Sequence, residues 1–150
     1  MARLLIVHHT ASPGMDTLLA SVLDGARNEQ IQGVEVVLRA ALSASASDVL
    51  EADGYLLGTP ANLGYMSGAL KHFFDTIYYP CLHDTGGRPY GMYVHGNNDV
   101  DGAILGVQKI VKGLGWRQVA APVRSIGEVG ASSREACWEL GAVLAAGLAG

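Results

Sequence analysis

Short apolar stretches alternate with segments of helical spacing along the whole chain. The first stretch, residues 3–8 (RLLIVH), is apolar and rich in β-branched residues without polar alternation, which is typical of a strand buried on both faces. In the segment that follows, Leu18, Leu19, Val22 and Leu23 fall on one face of a helix. The same alternation of strand and helix continues to the C-terminal end of the sequence.

The hydrophobic pattern predicts five strands and five helices. The strands are expected at residues 3–8, 34–38, 53–59, 90–95 and 118–123. The helices are expected at 17–28, at a short segment ending at 52, and at 67–79, 103–114 and 134–148. Ser47 or Asp48 is the expected cap of the short helix, Ser67 caps the helix after it, and Gly115 closes the fourth.

Five repeats of strand and helix predict an α/β fold. Right-handed crossovers then build a parallel sheet with helices on both faces, which gives three layers. The chain has 150 residues and contains no linker, low-complexity segment or internal repeat. We therefore expect a single domain that spans residues 1–150.

Composition and charge exclude several classes of function. Hydrophobic residues make up 49% of the chain and charged residues 16%, which suits a globular protein, and the net charge of −4 gives no basic surface for nucleic acid or anionic lipid. Cys81 and Cys137 do not have the spacing of metal ligands and are expected to be free thiols. The N-terminal apolar run is too short for a signal peptide or a membrane span, so we expect a cytoplasmic protein.

No constellation of catalytic or metal-binding side chains stands out. His8 and His9 are adjacent at the end of a strand, where neighbouring side chains point to opposite faces of the sheet, so they are poor joint ligands of a metal. We expect no metal site and no protein nucleophile, and the sequence assigns no catalytic residue.

Three loops rich in small residues follow the first, third and fourth predicted strands. In an open α/β sheet, ligands bind beyond the carboxyl ends of the strands, so these loops are expected to meet at one ligand site. The candidate cofactor-binding residues are Thr10, Ala11, Ser12, Gly14, Met15 and Asp16 in the first loop, Thr59, Pro60, Ala61, Asn62, Leu63, Gly64, Tyr65 and Met66 in the second, and His95, Gly96, Asn97 and Asn98 in the third.

The first loop leads directly into a helix. Hydroxyl groups and unpaired amides at a helix N-terminus favour an anion, and the loop has no lysine of a Walker motif, so the pattern favours one phosphate held by neutral donors. Pro13 can donate no amide. The carboxylate of Asp16 would repel a phosphate. It is expected to turn away and to cap the helix through its side chain or through the helix dipole. An ordinary strand-to-helix turn with a Ser or Thr cap is the alternative.

The second loop, GTPANLGYMSG, carries no charge in eleven residues. Glycine and small residues let the backbone approach the edge of a flat aromatic ligand, and Leu63, Tyr65 and Met66 are expected to pack on a ring face. Asn62 can add a side-chain amide. A plain strand–turn–helix connection is the alternative here, and a structural role is the alternative for His95 in the third loop.

The segment LLGTPANLGYMSGALKHFFD resembles the flavin-ring loop and following helix of the flavodoxin-like superfamily. It is most similar to FMN-dependent NAD(P)H reductases and to quinone reductases like the tryptophan-repressor-binding protein, in which G-T-P-x-x-x-G-x-M-S-G precedes K-x-F-x-D. The resemblance implies a five-stranded sheet of order 2-1-3-4-5 with non-covalently bound FMN. It also implies a homodimer or homotetramer in which one subunit helps to cover the flavin of its neighbour.

The resemblance implies a redox function. The favoured hypothesis is an NAD(P)H-dependent FMN oxidoreductase that reduces flavin, quinone or another small-molecule acceptor by hydride transfer. The scattered acidic residues favour this hypothesis over a flavodoxin-type carrier of single electrons, because such carriers use a strongly acidic face. A third hypothesis is a degenerate member of the superfamily that binds partners without flavin.

Overall fold

A parallel β-sheet with helices on both faces forms the centre of the molecule, and the computed structural model describes all residues, 1–150. The strands are β1 (Ala2–His8), β2 (Val34–Ala40), β3 (Gly54–Asn62), β4 (Tyr65–Met66), β5 (Pro89–Gly96), β6 (Arg117–Gln118) and β7 (Val123–Ile126). The helices are α1 (Pro13–Ala26), α2 (Ala46–Glu51), α3 (Gly68–Cys81), α4 (Asp101–Leu114) and α5 (Ala131–Leu148). The prediction of an α/β fold is confirmed.

The strands are ordered β2-β1-β3-β5-β6, and β7 pairs with β5 beyond the end of β6. If β6 and β7 are counted as one interrupted edge strand, this is the predicted order 2-1-3-4-5. The strand order reverses between β1 and β3, so their carboxyl ends mark the topological switch point of the sheet. The short β4 lies outside the parallel array and pairs antiparallel with the end of β3.

The predicted fifth strand at 118–123 is wrong in its bounds. Residues 119–122 leave the sheet, and the pairing resumes at Val123 and continues to Ile126. Pro122 lies in this break and has no amide hydrogen to donate to β5. The hydrophobic run alone did not reveal the interruption, because the residues of the break are themselves apolar.

Several helix ends differ from the predictions. α1 begins at Pro13, four residues earlier than expected, with Ser12 as its N-cap and a proline at the position where a missing amide costs least. Ser45, and not Ser47 or Asp48, caps α2, and Asp48 completes a capping box by accepting from the Ser45 amide. The predicted cap Ser67 and the closing residue Gly115 are confirmed.

Two apolar clusters lie on opposite faces of the sheet. Along β1, Leu4 and Ile6 belong to the cluster beneath α1 and α5, and Leu5 and Val7 to the larger cluster beneath α2, α3 and α4. All four are fully buried. The continuous apolar run of β1 therefore follows from burial on both faces, as expected of a central parallel strand.

Helices α1 and α5 pack at very close range through glycine. A Cβ atom at Gly141 would lie 2.1 Å from the Val22 carbonyl oxygen, and one at Gly25 would lie 1.9 Å from the Trp138 carbonyl oxygen. The small residues of α5 thus allow backbone contact with α1. None of the five helices is long and apolar enough to cross a membrane.

Candidate functional site at the carboxyl ends of the strands

The loops after β1, β3 and β5 meet at one edge of the sheet. The His9 amide donates to the Gly58 carbonyl at 3.0 Å, which joins the end of β1 to β3. Gly96 at the end of β5 packs closely against Ala61 of β3, since a Cβ atom built at Gly96 would lie only 3.2 Å from Ala61 Cβ. The ring of His95 lies against Gly14 and so links the third loop to the first. We call this edge the rim.

The first loop presents a row of free backbone amides. The amides of Thr10, Ala11, Ser12 and Gly14 donate to no group of the protein, whereas the Asp16 amide donates to the Ser12 carbonyl in the first turn of α1. Ala11 and Ser12 are exposed. Unpaired amides beside the N-terminus of a 14-residue helix favour the binding of an anion.

The two hydroxyl groups of this loop already have partners. Ser12 Oγ accepts from the Met15 amide at 3.2 Å, and Thr10 Oγ1 lies 2.7 Å from His8 Nδ1. Burial lowers the pKa of His8, the neighbouring His9 lowers it further, and Asp16 opposes the shift. The imidazole of His8 is therefore biased towards its neutral form beside the free amides.

The orientation of His95 is fixed by the loop after β7. Its Nε2 lies 2.6 Å from the Gly127 carbonyl oxygen, which can only accept, so Nε2 carries the hydrogen. The ring also packs against Gly14 of the first loop. A Cβ atom built at Gly14 would lie 3.2 Å from Cε1 and 3.6 Å from Nδ1 of His95. His95 is part-buried between these two loops.

The second loop is a β-hairpin and not the irregular connection that the sequence predicted. β3 continues to Asn62, and β4 returns through a two-residue turn in which Leu63 and Gly64 both have positive φ angles, 51° and 78°. This is the arrangement of a type I′ turn. Leu63 is fully exposed at the tip, in a left-handed conformation that costs a branched residue about 1–2 kcal/mol.

The hairpin is held against helix α4 by two glycines one turn apart. A Cβ atom at Gly102 would lie 1.8 Å from the Gly64 carbonyl oxygen, and one at Gly106 would lie 2.5 Å from Cε1 of Tyr65. At the base of the hairpin, buried Thr59 accepts from the Ser67 amide at 3.0 Å. The hairpin is therefore anchored at both ends, with its tip open to solvent.

The third loop begins beside the base of the hairpin, where Gly96 packs against Ala61. Asn97, Asn98 and Asp99 are exposed, and the Asp99 side chain accepts from the Asp101 amide at 2.8 Å. Asp101 forms an ion pair with Arg124 of β7. Asp99 thus orders the start of α4 and leaves the two asparagines directed to solvent.

The side chains of three predicted site residues point into the protein, and the expectation that Met66 packs on a ring face is wrong. Met66 is 2% exposed within the larger core cluster, and Met15 is fully buried beneath α1. Thr59 is 1% exposed and its hydroxyl is used inside the protein. These residues support the loops from beneath, because the side chains of a strand end and of a helix face that pack on the core point away from the rim.

The structure adds residues that sequence reasoning did not assign to the site. They are His8, whose ring contacts Thr10, Gly127, which orients His95, and Gly102 and Gly106, which seat the hairpin. The glycine-rich segment SIGEVGASS was visible in the sequence as a loop, but nothing in it predicted the contact with His95. The four-residue spacing of the two glycines in α4 was a usable signal for close backbone packing.

The rim is an open edge and not an enclosed pocket. Two surface clefts of 390 and 450 Å³ lie elsewhere, along the outer side of α5. The candidate residues that remain exposed at the rim are Ala11, Ser12 and Asp16 of the first loop, Asn62, Leu63, Gly64 and Tyr65 of the hairpin, and Asn97 and Asn98 of the third loop.

Known proteins share this fold closely. A flavodoxin from the domain Archaea matches 97% of this chain and 98% of its own with a TM-score of 0.82 at 14% identity. The flavodoxin, WrbA-like protein from Agrobacterium tumefaciens matches 97% and 96% with a TM-score of 0.78 at 17% identity. The Flv1 flavodiiron core from Synechocystis sp. PCC6803 matches 98% of this chain but 36% of its own, with a TM-score of 0.80 at 16% identity.

A sequence relative points in the same direction. A protein named flavodoxin from Aquifex aeolicus (strain VF5) is 35% identical over 77 residues, which span 51% of this chain and 40% of that protein. No protein-family model matches the chain. The structural matches show that this chain has the flavodoxin-like fold, which confirms the resemblance drawn from the sequence.

Proposed function

We propose that this chain is an FMN-binding redox protein. The observation that carries the proposal is the row of free amides at Thr10, Ala11, Ser12 and Gly14, placed at the switch point between β1 and β3. Flavodoxin-like sheets bind FMN at this position, and a phosphate monoester supplies the acceptors that the amides lack. The residues present therefore fit the phosphate of FMN.

The two walls of the rim fit the flavin ring. The hairpin offers Asn62, Leu63 and Tyr65 without any charge, and Asn97 and Asn98 are exposed on the third loop. A flat ring between these walls would find apolar side chains for its faces and backbone and side-chain amides for its polar edge. The exposure of Leu63 at a conformationally costly position is also explained if it covers a ligand.

Bound FMN would supply hydride or single-electron transfer through its flavin ring. The chain would supply position and electrostatics. The first loop would hold the phosphate, and the hairpin, anchored on Gly102 and Gly106, would fix the distance between the two walls. No proton donor of the protein is required at the ring.

Binding of FMN and of riboflavin to the purified protein tests this proposal. FMN is expected to bind with its flavin fluorescence quenched, and riboflavin, which lacks the phosphate, to bind more weakly. Ala11→Glu places a carboxylate beside the free amides and is expected to weaken FMN but not riboflavin. Ala20→Glu, on the exposed face of α1, is the matched control. Equal affinity for the two flavins, or none for either at millimolar concentration, would contradict the proposal.

Transfer of single electrons between protein partners is the mode that the rim geometry supports better. Asp16, Asp99 and Glu128 lie exposed around the rim without ion pairs, and Arg124 is neutralised by Asp101. Unpaired carboxylates near the rim favour a basic partner protein and disfavour the phosphates of a nicotinamide nucleotide, which weighs against the preference that the scattered acidic residues gave in the sequence. The relative named flavodoxin supports the same mode.

An NAD(P)H-dependent oxidoreductase with a small-molecule acceptor is the second candidate. It is supported by the motif at Gly58–Gly68 and by the similarity to the WrbA-like protein. The FMN-loaded protein separates the two candidates when its oxidation of NADH and NADPH is followed with an added quinone. Steady turnover favours the oxidoreductase, and no turnover together with rapid electron exchange with a basic redox protein favours the carrier. A homodimer or homotetramer belongs with the second candidate and is tested by the mass of the FMN-loaded protein in solution.

A further inference from the structure

We propose that two copies of this chain join along the open edge of β2, in antiparallel register about a two-fold axis at Val37. This surface is a side edge of the sheet and not the rim, so the inference does not depend on the proposed function. The partner is a second copy because the charges along β2 complement those of the same strand turned end to end.

β2 is the terminal strand of the sheet and pairs only with β1. None of its seven residues is buried, whereas four residues of the neighbouring β1 are. An exposed strand edge carries unpaired backbone groups, and these can bind a further strand. The side of β2 that faces away from β1 is therefore free to pair.

The hydrogen bonds to β1 show which groups of β2 face this open edge. The Ala2 amide donates to the Gly33 carbonyl, and the Ala41 amide donates to the His8 carbonyl. Because the bonding direction alternates along a strand, the odd-numbered residues of β2 bond β1, and the even-numbered residues direct their amides and carbonyls outwards. The even-numbered residues of the strand are Val34, Val36, Leu38 and Ala40.

A two-fold axis at Val37 brings these outward-facing residues opposite one another. Val36 of one copy meets Leu38 of the other, and the two exchange amide-to-carbonyl bonds in both directions on each side of the axis. Val34 meets Ala40 in the same way. The Ala40 carbonyl is already bonded in the turn after β2, so this outer pair adds only the bond from the Ala40 amide to the Val34 carbonyl.

The same register places opposite charges side by side. Glu35 of each copy lies directly opposite Arg39 of the other, at positions without backbone hydrogen bonds, where side chains approach most closely. Both side chains lie on the face covered by α2, since Arg39 pairs with Asp48 of α2 and Glu35 pairs with Arg3. Sliding one strand to the next register that keeps the backbone bonds takes Glu35 away from Arg39.

The contacts of Glu35 and Arg39 within one chain are weak and exposed. Their side chains remain 48% and 44% exposed in their ion pairs, and exposed ion pairs contribute little to stability. Arg39 Nη1 also donates to the Leu38 carbonyl at 3.0 Å, one of the groups at the open edge. In the dimer, the Val36 amide of the second copy takes this carbonyl and Arg39 turns to the Glu35 opposite. If Arg39 instead shielded the edge, its removal would promote association.

The dimer has one continuous sheet through both copies. Because the two β2 strands run antiparallel, the rims of the two copies lie at opposite ends of this sheet. Each rim stays open, so this dimer differs from the arrangement in which one subunit covers the flavin of its neighbour.

Sedimentation velocity of the purified protein without FMN, over a range of protein concentrations, tests the proposal. A species with twice the mass of one chain is expected to grow with concentration. Glu35→Arg places like charges opposite each other on both sides of the axis and is expected to weaken the dimer by about 10- to 100-fold. Glu139→Arg is the matched control, because it makes the same change of charge at an exposed position beside the break between β6 and β7, at the other edge of the sheet.

The double variant Glu35→Arg with Arg39→Glu restores opposite charges across the axis and is expected to recover the dimer. Within each chain it leaves Arg3 and Asp48 beside like charges, so the recovery can come only from the pairs between copies. Arg39→Ala is expected to weaken the dimer. A wild-type protein that is monomeric at every concentration, a dimer that Glu35→Arg leaves intact, or tighter association of Arg39→Ala each overturns the proposal. None of these outcomes bears on FMN binding, so the proposed function stands or falls separately.

Discussion

The contact between the hairpin and α4 gives a sharp test of how the rim is built. In the variant Gly102→Ala, the new Cβ atom would lie 1.8 Å from the Gly64 carbonyl oxygen and 2.9 Å from its carbonyl carbon. Carbon and oxygen atoms in contact stay about 3.3 Å apart, so the hairpin must move by about 1.5 Å. Both atoms belong to the backbone, and no side-chain rotation can relieve the overlap.

The effect on stability is a balance of two opposing contributions. Overpacking costs about 1–3 kcal/mol, and replacing glycine by alanine inside a helix stabilises by about 1 kcal/mol. The expected loss in the free energy of unfolding is therefore about 0–2 kcal/mol, measured by urea denaturation. Gly147→Ala in α5, where a Cβ atom meets nothing within 4 Å, is the control and should give only the favourable contribution.

Ligand affinity is the more selective readout of the displaced hairpin. Loss of the proposed contact between the Tyr65 ring and the flavin ring should cost about 1 kcal/mol of binding free energy. FMN and riboflavin should therefore both bind about fivefold more weakly. Inorganic phosphate, which requires only the first loop, should bind as in the wild type. The reasoning is refuted if Gly102→Ala binds both flavins with unchanged affinity, since the hairpin would then not be a wall of the site.

Four further predictions concern the strands beneath the rim. Gly58→Ala should lower the free energy of unfolding by about 1–3 kcal/mol, because the new Cβ atom would lie 2.1 Å from Cζ of Tyr93. Tyr93→Phe should raise the free energy of unfolding by about 1 kcal/mol, because the buried Tyr93 hydroxyl has no hydrogen-bond partner. Thr59→Val should cost about 1–3 kcal/mol in urea denaturation by leaving the buried Ser67 amide unpaired. The lowered pKa of His8 means that the folded state binds this proton less well than the unfolded state. The free energy of unfolding should therefore decline as the pH falls below about 6.5, the ordinary pKa of histidine.

Two of these predictions have a control variant within the chain. Thr76→Val removes an exposed hydroxyl that bonds only to its own helix, and its effect should stay within about 0.5 kcal/mol. A Tyr93→Phe protein less stable than the wild type would mean that the hydroxyl has an unrecognised partner. The decline at acidic pH should be shallower in His8→Gln, and an unchanged slope would assign it to other groups.

The positions of the three site loops could be predicted from the sequence because they follow from local patterns. Uninterrupted apolar runs mark β1, β3 and β5 as central parallel strands, and the carboxyl ends of such strands meet at one edge. The residues that follow the predicted strands, including Thr10, Pro60 and Gly96, are therefore assigned to one rim from the sequence without knowledge of any long-range contact.

The orientation of side chains within those loops was decided by tertiary packing. Met66 was expected on a ring face, but the pairing of Ala61 with Met66 turns its side chain into the core. Whether a residue at the end of a strand faces ligand or core depends on the register of its partner, and a shift of one residue reverses the answer. A single sequence holds no record of that register.

The sequence by itself determined the class of the fold and the place of the rim, because hydrophobic periodicity and glycine-rich turns are local properties of the chain. Only the tertiary structure decided that Nε2 of His95 donates a hydrogen bond to the carbonyl of Gly127, more than thirty residues away. It also decided that Gly102 packs directly against the carbonyl of Gly64. These contacts depend on how strands and helices far apart in sequence are brought together. Their geometry is fixed by packing at distances of a few tenths of an ångström, which no local pattern encodes.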